Sequence, residues 1–180
     1  RLLWRYPLPN ILSAYDGDQL MGTAGTHSPY CISEDGVYVR YQGHCLRLDR
    51  VNGQQLEKFE APVDVDGKPG IWGYIACSAG VLVGSLADPE HVVTFRYLER
   101  GGDMSSLLTE SKSLFGMDST SGEVLWRYDA RHSIRHNALA MDSSSLYLID
   151  RPQALEDRVK TAKVENHPAG VLVALDAKTG

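Results

Sequence analysis

Short runs of apolar residues, separated by polar turn residues, follow one another along this chain. Residues 37–41 and 44–48 are two such runs, and residues 42–43 between them have the Gln-Gly sequence of a two-residue hairpin turn. A shorter run at residues 29–32 precedes this hairpin, and another at residues 55–59 follows it. The pattern predicts four short antiparallel strands in this part of the chain.

The same order of runs and turns recurs twice more. In the second set, the predicted strands are residues 73–77, 81–86, 113–117 and 123–128. In the third set, they are residues 138–141, 146–149 and 171–175. Outside the longer connections, no long stretch with helical spacing separates these runs. We therefore predict an all-β fold whose unit is a small four-stranded antiparallel sheet.

A five-residue corner that begins with Asp and ends with Gly is repeated three times. The pairs are Asp49 and Gly53, Asp118 and Gly122, and Asp176 and Gly180. An Asp at the start of a turn accepts hydrogen bonds from the backbone two residues further on, and Gly takes a positive φ that other residues resist. The sequence Leu-Trp-Arg-Tyr occurs at residues 3–6 and again just after the middle corner, and Leu-Glu-Lys-Phe follows the first corner. We expect Trp4 and Trp126 to lie on outer strands and to dock one sheet onto the next.

These corners divide the chain into three repeat units, residues 1–53, 54–122 and 123–180. Trp126 lies four residues after Gly122. The same offset counted back from Trp4 places another such Gly just before residue 1. We therefore interpret the chain as a piece of a longer repeat array.

Two insertions separate the second and third predicted strands of the later units, at about residues 87–112 and 151–169. In units of this kind, they lie on the same face as the connection at residues 7–28. Insertions that collect on one face of a repeat protein often mark its binding face, whereas the alternative is a solvated loop of mixed charge. We expect a protein partner or a small ligand on this face.

The composition is that of a globular domain, and it argues against a nucleic-acid-binding protein and against a membrane span. Hydrophobic residues make up 43% of the chain and charged residues 23%, and the net charge is −5, which is typical of a globular domain. The acidic balance argues against nucleic-acid binding, which needs a basic stripe. No apolar run reaches the roughly 18–20 residues of a membrane span. The three cysteines lie in strand-like apolar runs, which favours small buried residues over a disulfide framework.

Two stretches resemble the tryptophan-docking motif of the pyrroloquinoline-quinone-like (PQQ-like) repeats of quinoproteins. They are Ala174-x-Asp176-x-x-Thr179-Gly180 and Asp118-x-x-x-Gly122-x-x-x-Trp126. The resemblance covers the whole chain and implies a β-propeller of about seven or eight four-stranded antiparallel blades, of which this chain holds about three. Three blades do not close a ring, so the resemblance also implies that the remaining blades of the propeller are partners of this chain.

The first unit departs from this motif. Arg47 stands where the third unit has Ala174, and Glu57 stands where the second has Trp126. The contact between the first and second blades is therefore expected to be looser, or to be made by Phe59.

Residues that enter the first strand of each blade lie nearest the central channel of a propeller. At these positions the chain has His27, Trp72, His136 and Asn137, which are our candidates for a ligand-binding set that faces the channel. His can bind a metal or move a proton, and Trp can stack on a flat cofactor. The alternative is that these side chains make structural hydrogen bonds where the strands begin.

Two classes of function stay open. The first, which we favour, is a scaffold that binds a protein or small ligand, with no catalytic residue and no metal ligand in this chain. The second is a quinoprotein oxidoreductase similar to PQQ-dependent alcohol or sugar dehydrogenases, which hold PQQ and calcium with an adjacent Cys pair, a stacking Trp and Glu, Asn and Asp ligands. No adjacent Cys pair occurs in this sequence, so those groups would lie in other blades. The resemblance also implies a periplasmic or secreted location.

Overall fold

The computed structural model describes residues 1–9, 29–88, 110–152 and 170–180. These residues form ten β-strands and no helix, which confirms the all-β prediction. The strands are β1 (Tyr30–Ser33), β2 (Gly36–Tyr41), β3 (His44–Leu48), β4 (Gln55–Glu60), β5 (Trp72–Ser78), β6 (Val81–Ala87), β7 (Glu110–Asp118), β8 (Val124–Met141), β9 (Ser145–Arg151) and β10 (Val171–Asp176). Within these ranges, no helix is present that could cross a membrane.

Strands β1 to β4 form a four-stranded antiparallel sheet in which each strand pairs with the next along the chain. The turn from β2 to β3 has a positive φ at Gln42 (48°) and at Gly43 (82°), the backbone of a type I′ turn. Such a turn matches the twist of the two strands, which is why a two-residue link is sufficient here. The four predicted strands of the first unit are confirmed to within one residue at each end.

Strands β5 to β10 form one six-stranded antiparallel sheet. The prediction of separate sheets for the second and third units is wrong, because β8 runs without a break from one unit into the other. Its first part pairs with β7 and its last part with β9. No Pro or Gly lies in residues 129–137, whereas the link from β4 to β5 contains two of each and ends the strand.

Three clusters of buried apolar side chains hold these layers together. The first cluster joins one face of the β1–β4 sheet to β5, β6 and β7, with Tyr38, Cys45, Phe59, Trp72, Ile75, Leu82, Leu86, Phe115 and Met117. The second cluster spans β6 to β9, with Val81, Val83, Leu114, Trp126, Ile134, Leu146 and Leu148. The third cluster is Val39, Leu46 and Leu48 with Trp4, Tyr6 and Leu8 packed on them. Because alternate residues of a strand face opposite sides, the first and third clusters lie on opposite faces of the first sheet.

The insertion of the second unit is shorter than predicted. β6 ends at Ala87 and β7 begins at Glu110, so strand three starts three residues before the predicted position. Most of this insertion, and most of the one predicted at residues 151–169, lies outside the described residues.

Both insertions leave the sheet at the same end of its strands. Ile134 of β8 pairs with Ser111 of β7 on one side and with Asp150 of β9 on the other. Ser111 and Asp150 each stand one or two residues from an insertion. The two connections therefore begin at adjacent strand ends.

Candidate functional site

Each of the three Asp–Gly corners is held closed by its own aspartate. Asp118 Oδ1 accepts hydrogen bonds from the backbone N–H groups two and three residues further on, at 2.9 and 2.7 Å. Gly122 has a φ of 74° and donates its N–H to the carbonyl of Asp118 at 2.9 Å. The corners at Asp49 and Asp176 have the same bonds and end in Gly residues with φ values of 74° and 87°. The positive φ explains why each corner ends in Gly.

Trp126 lies on the next Asp–Gly corner along the chain, at residues 176–180. Its indole N–H donates to the carbonyl of Ala177 at 3.1 Å, and its ring covers Gly180, where a Cβ would come within 3.1 Å of the Trp126 side chain. The indole nitrogen also lies against Gly116, where any side chain would overlap it. The contact therefore depends on two glycines as well as on the aromatic ring.

Trp4 and Phe59 make the equivalent contacts in the preceding units. Trp4 donates its indole N–H to the carbonyl of Arg50 at 2.9 Å, and its ring lies over Gly53. Phe59 packs on Gly122, where a Cβ would lie 3.1 Å from the ring. Phe59 of β4 thus joins the β1–β4 sheet to the corner that follows β7, which is one of the two arrangements expected between the first and second blades.

We expect acid to destabilise the fold through these corners. Backbone N–H groups hold the pKa of Asp118 and of Asp176 below its usual value, and those of Ser144 and Ser145 do the same for the pKa of Asp142 before β9. A carboxyl group whose pKa is lowered by folding stabilises the fold above its unfolded pKa of about 3.9, and that contribution is lost as the pH falls through the folded pKa. The urea midpoint should therefore fall as the pH drops below about pH 4. Asp118→Asn should make this fall shallower, and an unchanged slope would contradict the role of the corner.

The predicted channel-facing residues have different surroundings. His27 lies outside the described residues. Trp72 and His136 are each 1% exposed, whereas Asn137 is exposed. A Cβ on Gly73 would lie 2.7 Å from His136 Nε2, so His136 reaches the strand that carries Trp72. The structure thus packs His136 of β8 against β5, the strand that begins at Trp72, but leaves neither side chain open to a ligand.

Trp72 is enclosed on all sides. Its ring meets Phe115 edge-on, with ring centroids 5.0 Å apart and an interplanar angle of 64°. It also lies so close to Gly84 that no side chain fits there. Its indole N–H has no hydrogen-bond partner in the described part of the chain. A ring in this position offers no face on which a flat cofactor could stack.

A cluster of buried polar side chains lies at the strand ends from which the insertions leave. We use the term buried polar cluster for two hydrogen-bonded groups at these strand ends: Glu110 with Ser133, and Ser111 with Ser85 and His136. Glu110 Oε2 accepts a hydrogen bond from Ser133 Oγ (2.7 Å), and Glu110 Oε1 accepts one from Arg135 Nε (3.0 Å). Arg151 Nη2 lies 4.0 Å from Glu110 Oε1. Glu110 therefore ties β7 to β8 and β9 next to both insertions.

Ser111 and His136 are as close as a catalytic serine and its general base, but the proton of their hydrogen bond is carried by the histidine. Ser111 Oγ and His136 Nε2 are 2.7 Å apart. With Ser111 donating its hydroxyl proton to Ser85 Oγ at 2.8 Å, the matching tautomer of His136 carries its proton on Nε2 and donates it to Ser111 Oγ. A protonated Nε2 does not accept a proton from Ser111. The pair therefore acts as a structural chain of hydrogen bonds.

A depression of about 490 Å³ lies at the opposite ends of the strands, where the turns before β2, β6 and β9 meet. Its walls include Glu34, Arg50, Cys77 and Ser143. Burial raises the pKa of the Cys77 thiol, which keeps the thiol protonated and a poor nucleophile. With one cation and one carboxylate, the depression offers neither an activated nucleophile nor a net charge.

Sequence reasoning singled out His136 but missed the other members of the buried polar cluster. Glu110 and Ser111 follow an insertion, where polar side chains are usually solvated. The strand pattern could have revealed their burial, because extending the predicted third strand of the second unit back from Ser113 places Glu110 and Ser111 inside the sheet. Their burial follows from the pairing of Glu110 with Arg135 and of Ser111 with Ile134.

The described residues do not fit PQQ or its calcium ion. The three thiols are free and none is adjacent to another in the sequence. Within the described ranges, no three His, Cys, Asp or Glu side chains are grouped as metal ligands. The enclosed ring of Trp72 provides no stacking surface. Any quinone site would have to be built from other residues.

Comparison with known proteins adds no relative to this picture. No protein-family model matches the sequence, and no curated protein matches it. The likeness to PQQ-like repeats therefore depends on the repeated corners and their docking aromatic residues.

Proposed function

We propose that this chain forms three successive blades of a PQQ-like β-propeller and acts as a scaffold that binds a protein or a small ligand. In this proposal the first part of β8 is the last strand of the second blade and its last part is the first strand of the third blade, so that β8 joins the two blades into one sheet. The observation that carries the proposal is one contact made three times, in which Trp4, Phe59 and Trp126 each lie on the Gly that ends the next corner. In a propeller each blade contacts its neighbours, so a seam of one kind between successive blades is what a ring requires. β1 also lies beside β5, and β5 beside β8, so strands of successive units are neighbours.

A binding role is supported by the way the buried polar cluster uses its groups. Glu110 is engaged by Ser133 and Arg135, and His136 by Ser111. These bonds fix the strand ends from which residues 89–109 and 153–169 leave. Binding surfaces are commonly built from connections of variable length that a rigid scaffold holds in position. We propose that the binding surface lies at these strand ends.

The competing hypothesis is a quinoprotein oxidoreductase. It draws on the family resemblance, and no observation on the described residues favours it. It is therefore retained as an outcome of the test below.

Replacing residues 89–109 with an Asn-Gly hairpin turn is expected to abolish partner binding and to leave the sheet folded. The two-residue turn between β2 and β3 shows that strands two and three of a unit can be joined in this way. Proteins crosslinked to the full chain in its own cells would be compared with those crosslinked to the variant, and far-UV circular dichroism would report the fold. The matched control changes the Gln-Gly turn at residues 42–43 to Asn-Gly and should keep both properties.

Two results would overturn the proposal. One is an unchanged set of crosslinked partners in the variant. The other is saturable PQQ binding with calcium, together with dye-linked oxidation of an alcohol or sugar by the chain, which would support the oxidoreductase instead.

A further inference from the structure

The strand ends next to the two insertions hold their negative charges inside and their positive charges outside. Three carboxylates there are each at most 4% exposed, namely those of Asp88, Glu110 and Asp150. Four cations, which we call the cationic patch, surround them: Lys112, Arg131, Arg135 and Arg151. All four side chains reach the surface, and even Arg151, the least exposed of them, is 23% exposed. A molecule that approaches these strand ends therefore meets positive charge, although the net charge of the chain is −5.

Strand pairing brings the members of the cationic patch together. Arg135 of β8 stands opposite Glu110 of β7, and Arg151 of β9 stands opposite Ser133 of β8. Arg131 lies two residues before Ser133 in the same strand. Because neighbouring strands are about 4.8 Å apart, a patch on β7, β8 and β9 is roughly 10 Å wide.

Arg135 is held in position by a buried acceptor. Its Nε donates to Glu110 Oε1 at 3.0 Å, and Glu110 Oε2 is fixed in turn by Ser133 Oγ at 2.7 Å. Among the described residues, no acceptor bonds the two Nη groups of Arg135. The N–H groups at that edge of a guanidinium match the two oxygens of a carboxylate. An arginine that is already held in this way loses less conformational entropy when it binds an anion.

The neighbouring acids do not neutralise the patch. Asp129 of β8 is exposed, but it is bonded to Arg127 Nε at 2.8 Å. Asp150 accepts the backbone N–H groups of Arg131 and His132, at 2.6 and 2.9 Å. The side chain of Arg131 is bonded to no acceptor within the described ranges. At least one guanidinium group on this surface thus carries an unbalanced charge.

The arrangement of the cations indicates which kind of anion fits. They are spread over three strands, so they match several separate carboxylates better than the concentrated charge of one phosphate group. A nucleic acid needs a long basic stripe to neutralise successive phosphates, and an acidic chain repels so long a polyanion. A short acidic stretch of polypeptide meets only the patch itself.

We propose that the cationic patch binds an acidic segment of a protein partner, whose Asp or Glu side chains pair with Arg131 and Arg135. This inference rests on the proposed function, because the patch lies at the strand ends where we place the binding surface. It adds the chemistry of the partner. Glu110 and Ser133 serve the interaction from beneath by fixing Arg135.

A fluorescent peptide of alternating Glu and Ser residues tests the proposal. Its fluorescence anisotropy is followed as the chain is added at low ionic strength, where exposed charges are least screened. Binding should be saturable, and the same peptide with Gln in place of Glu should not bind. Arg131→Gln should weaken binding about three-fold, the effect of one exposed ion pair. Arg135→Gln should weaken it about ten-fold, because a bidentate pair is lost.

The matched control is Arg5→Gln, which makes the same charge change at an exposed arginine outside the patch and should leave the affinity unchanged. Arg135→Gln also leaves Glu110 without its cation, so the urea midpoint of each variant is measured in parallel. If Arg135→Gln is unfolded, Arg135→Lys takes its place, since it keeps the charge beside Glu110 but lacks the planar fork. It should weaken peptide binding by a factor between those of Arg131→Gln and Arg135→Gln.

Four outcomes would overturn the inference. They are absence of binding, equal binding of the Gln peptide, an equal loss for Arg5→Gln, and displacement of the peptide by inorganic phosphate but not by sodium chloride at the same ionic strength. The last would assign the patch to phosphate groups. If replacing residues 89–109 removes the crosslinked partners while the acidic peptide fails to bind, the scaffold stands and only this partner chemistry is rejected. Failure of the inference is therefore distinguishable from failure of the proposed function.

Discussion

Replacement of Trp126 by alanine is expected to lower the free energy of unfolding by about 3–5 kcal/mol. The Trp126 side chain is 7% exposed and packs in the second cluster with Leu114 and Leu146. Its removal opens a cavity over Gly180 and leaves the carbonyl of Ala177 without the indole donor. Urea unfolding followed by circular dichroism would show the loss as a lower midpoint with an unchanged slope.

Two variants serve as controls for this loss. Leu125→Ala removes the neighbouring side chain, which is 47% exposed, and should cost no more than about 0.5 kcal/mol. Trp126→Phe keeps an aromatic ring but loses the hydrogen bond to Ala177, so its cost should be intermediate, about 1–2 kcal/mol. Equal losses for Trp126→Ala and Leu125→Ala would mean that the ring is not docked, and the proposed scaffold would lose its main support.

The strands and corners were predictable because their causes are local. The hairpin at residues 42–43 and the corner at Asp118 are each specified by a few neighbouring residues that set φ or accept nearby backbone hydrogen bonds. The alternation of apolar residues then specifies which face of each strand is buried. These features do not depend on contacts with residues that are distant in the sequence.

The continuity of β8 and the burial of Glu110 were not predictable in this way. Whether residues 129–137 end a strand depends on the partners that β7 and β9 offer on its two sides. Glu110 is buried because Arg135, distant in sequence, is brought opposite to it. Trp72 lies at the start of β5 as expected, whereas His136 lies inside β8 and not at a strand start. Their neighbours Phe115 and Ser111 enclose them, and those contacts are also long-range. Neither residue propensities nor the spacing of residues in the sequence can predict these long-range contacts.

Replacement of Glu110 by alanine is expected to lower the free energy of unfolding by about 3 kcal/mol. The Glu110 side chain is 1% exposed, and its loss leaves Arg135 without a carboxylate and Ser133 Oγ without an acceptor. Breaking a buried ion pair costs about 3–5 kcal/mol, and the lower end applies because the Arg135 side chain is 30% exposed and keeps some water. Urea unfolding at pH 7 measures this loss.

Glu60→Ala is the matched control, since it removes a carboxylate from an exposed ion pair. Glu60 lies 2.8 Å from His44 and 3.6 Å from Lys58, but its side chain is 69% exposed, so the loss should stay under about 1 kcal/mol. Adding Arg135→Ala to Glu110→Ala should cost less than the sum of the two single changes, because the second change removes the charge that the first left uncompensated. If Glu110→Ala costs no more than Glu60→Ala, the carboxylate of Glu110 does not hold the strand ends together. The binding surface that we propose there would then lack its rigid base.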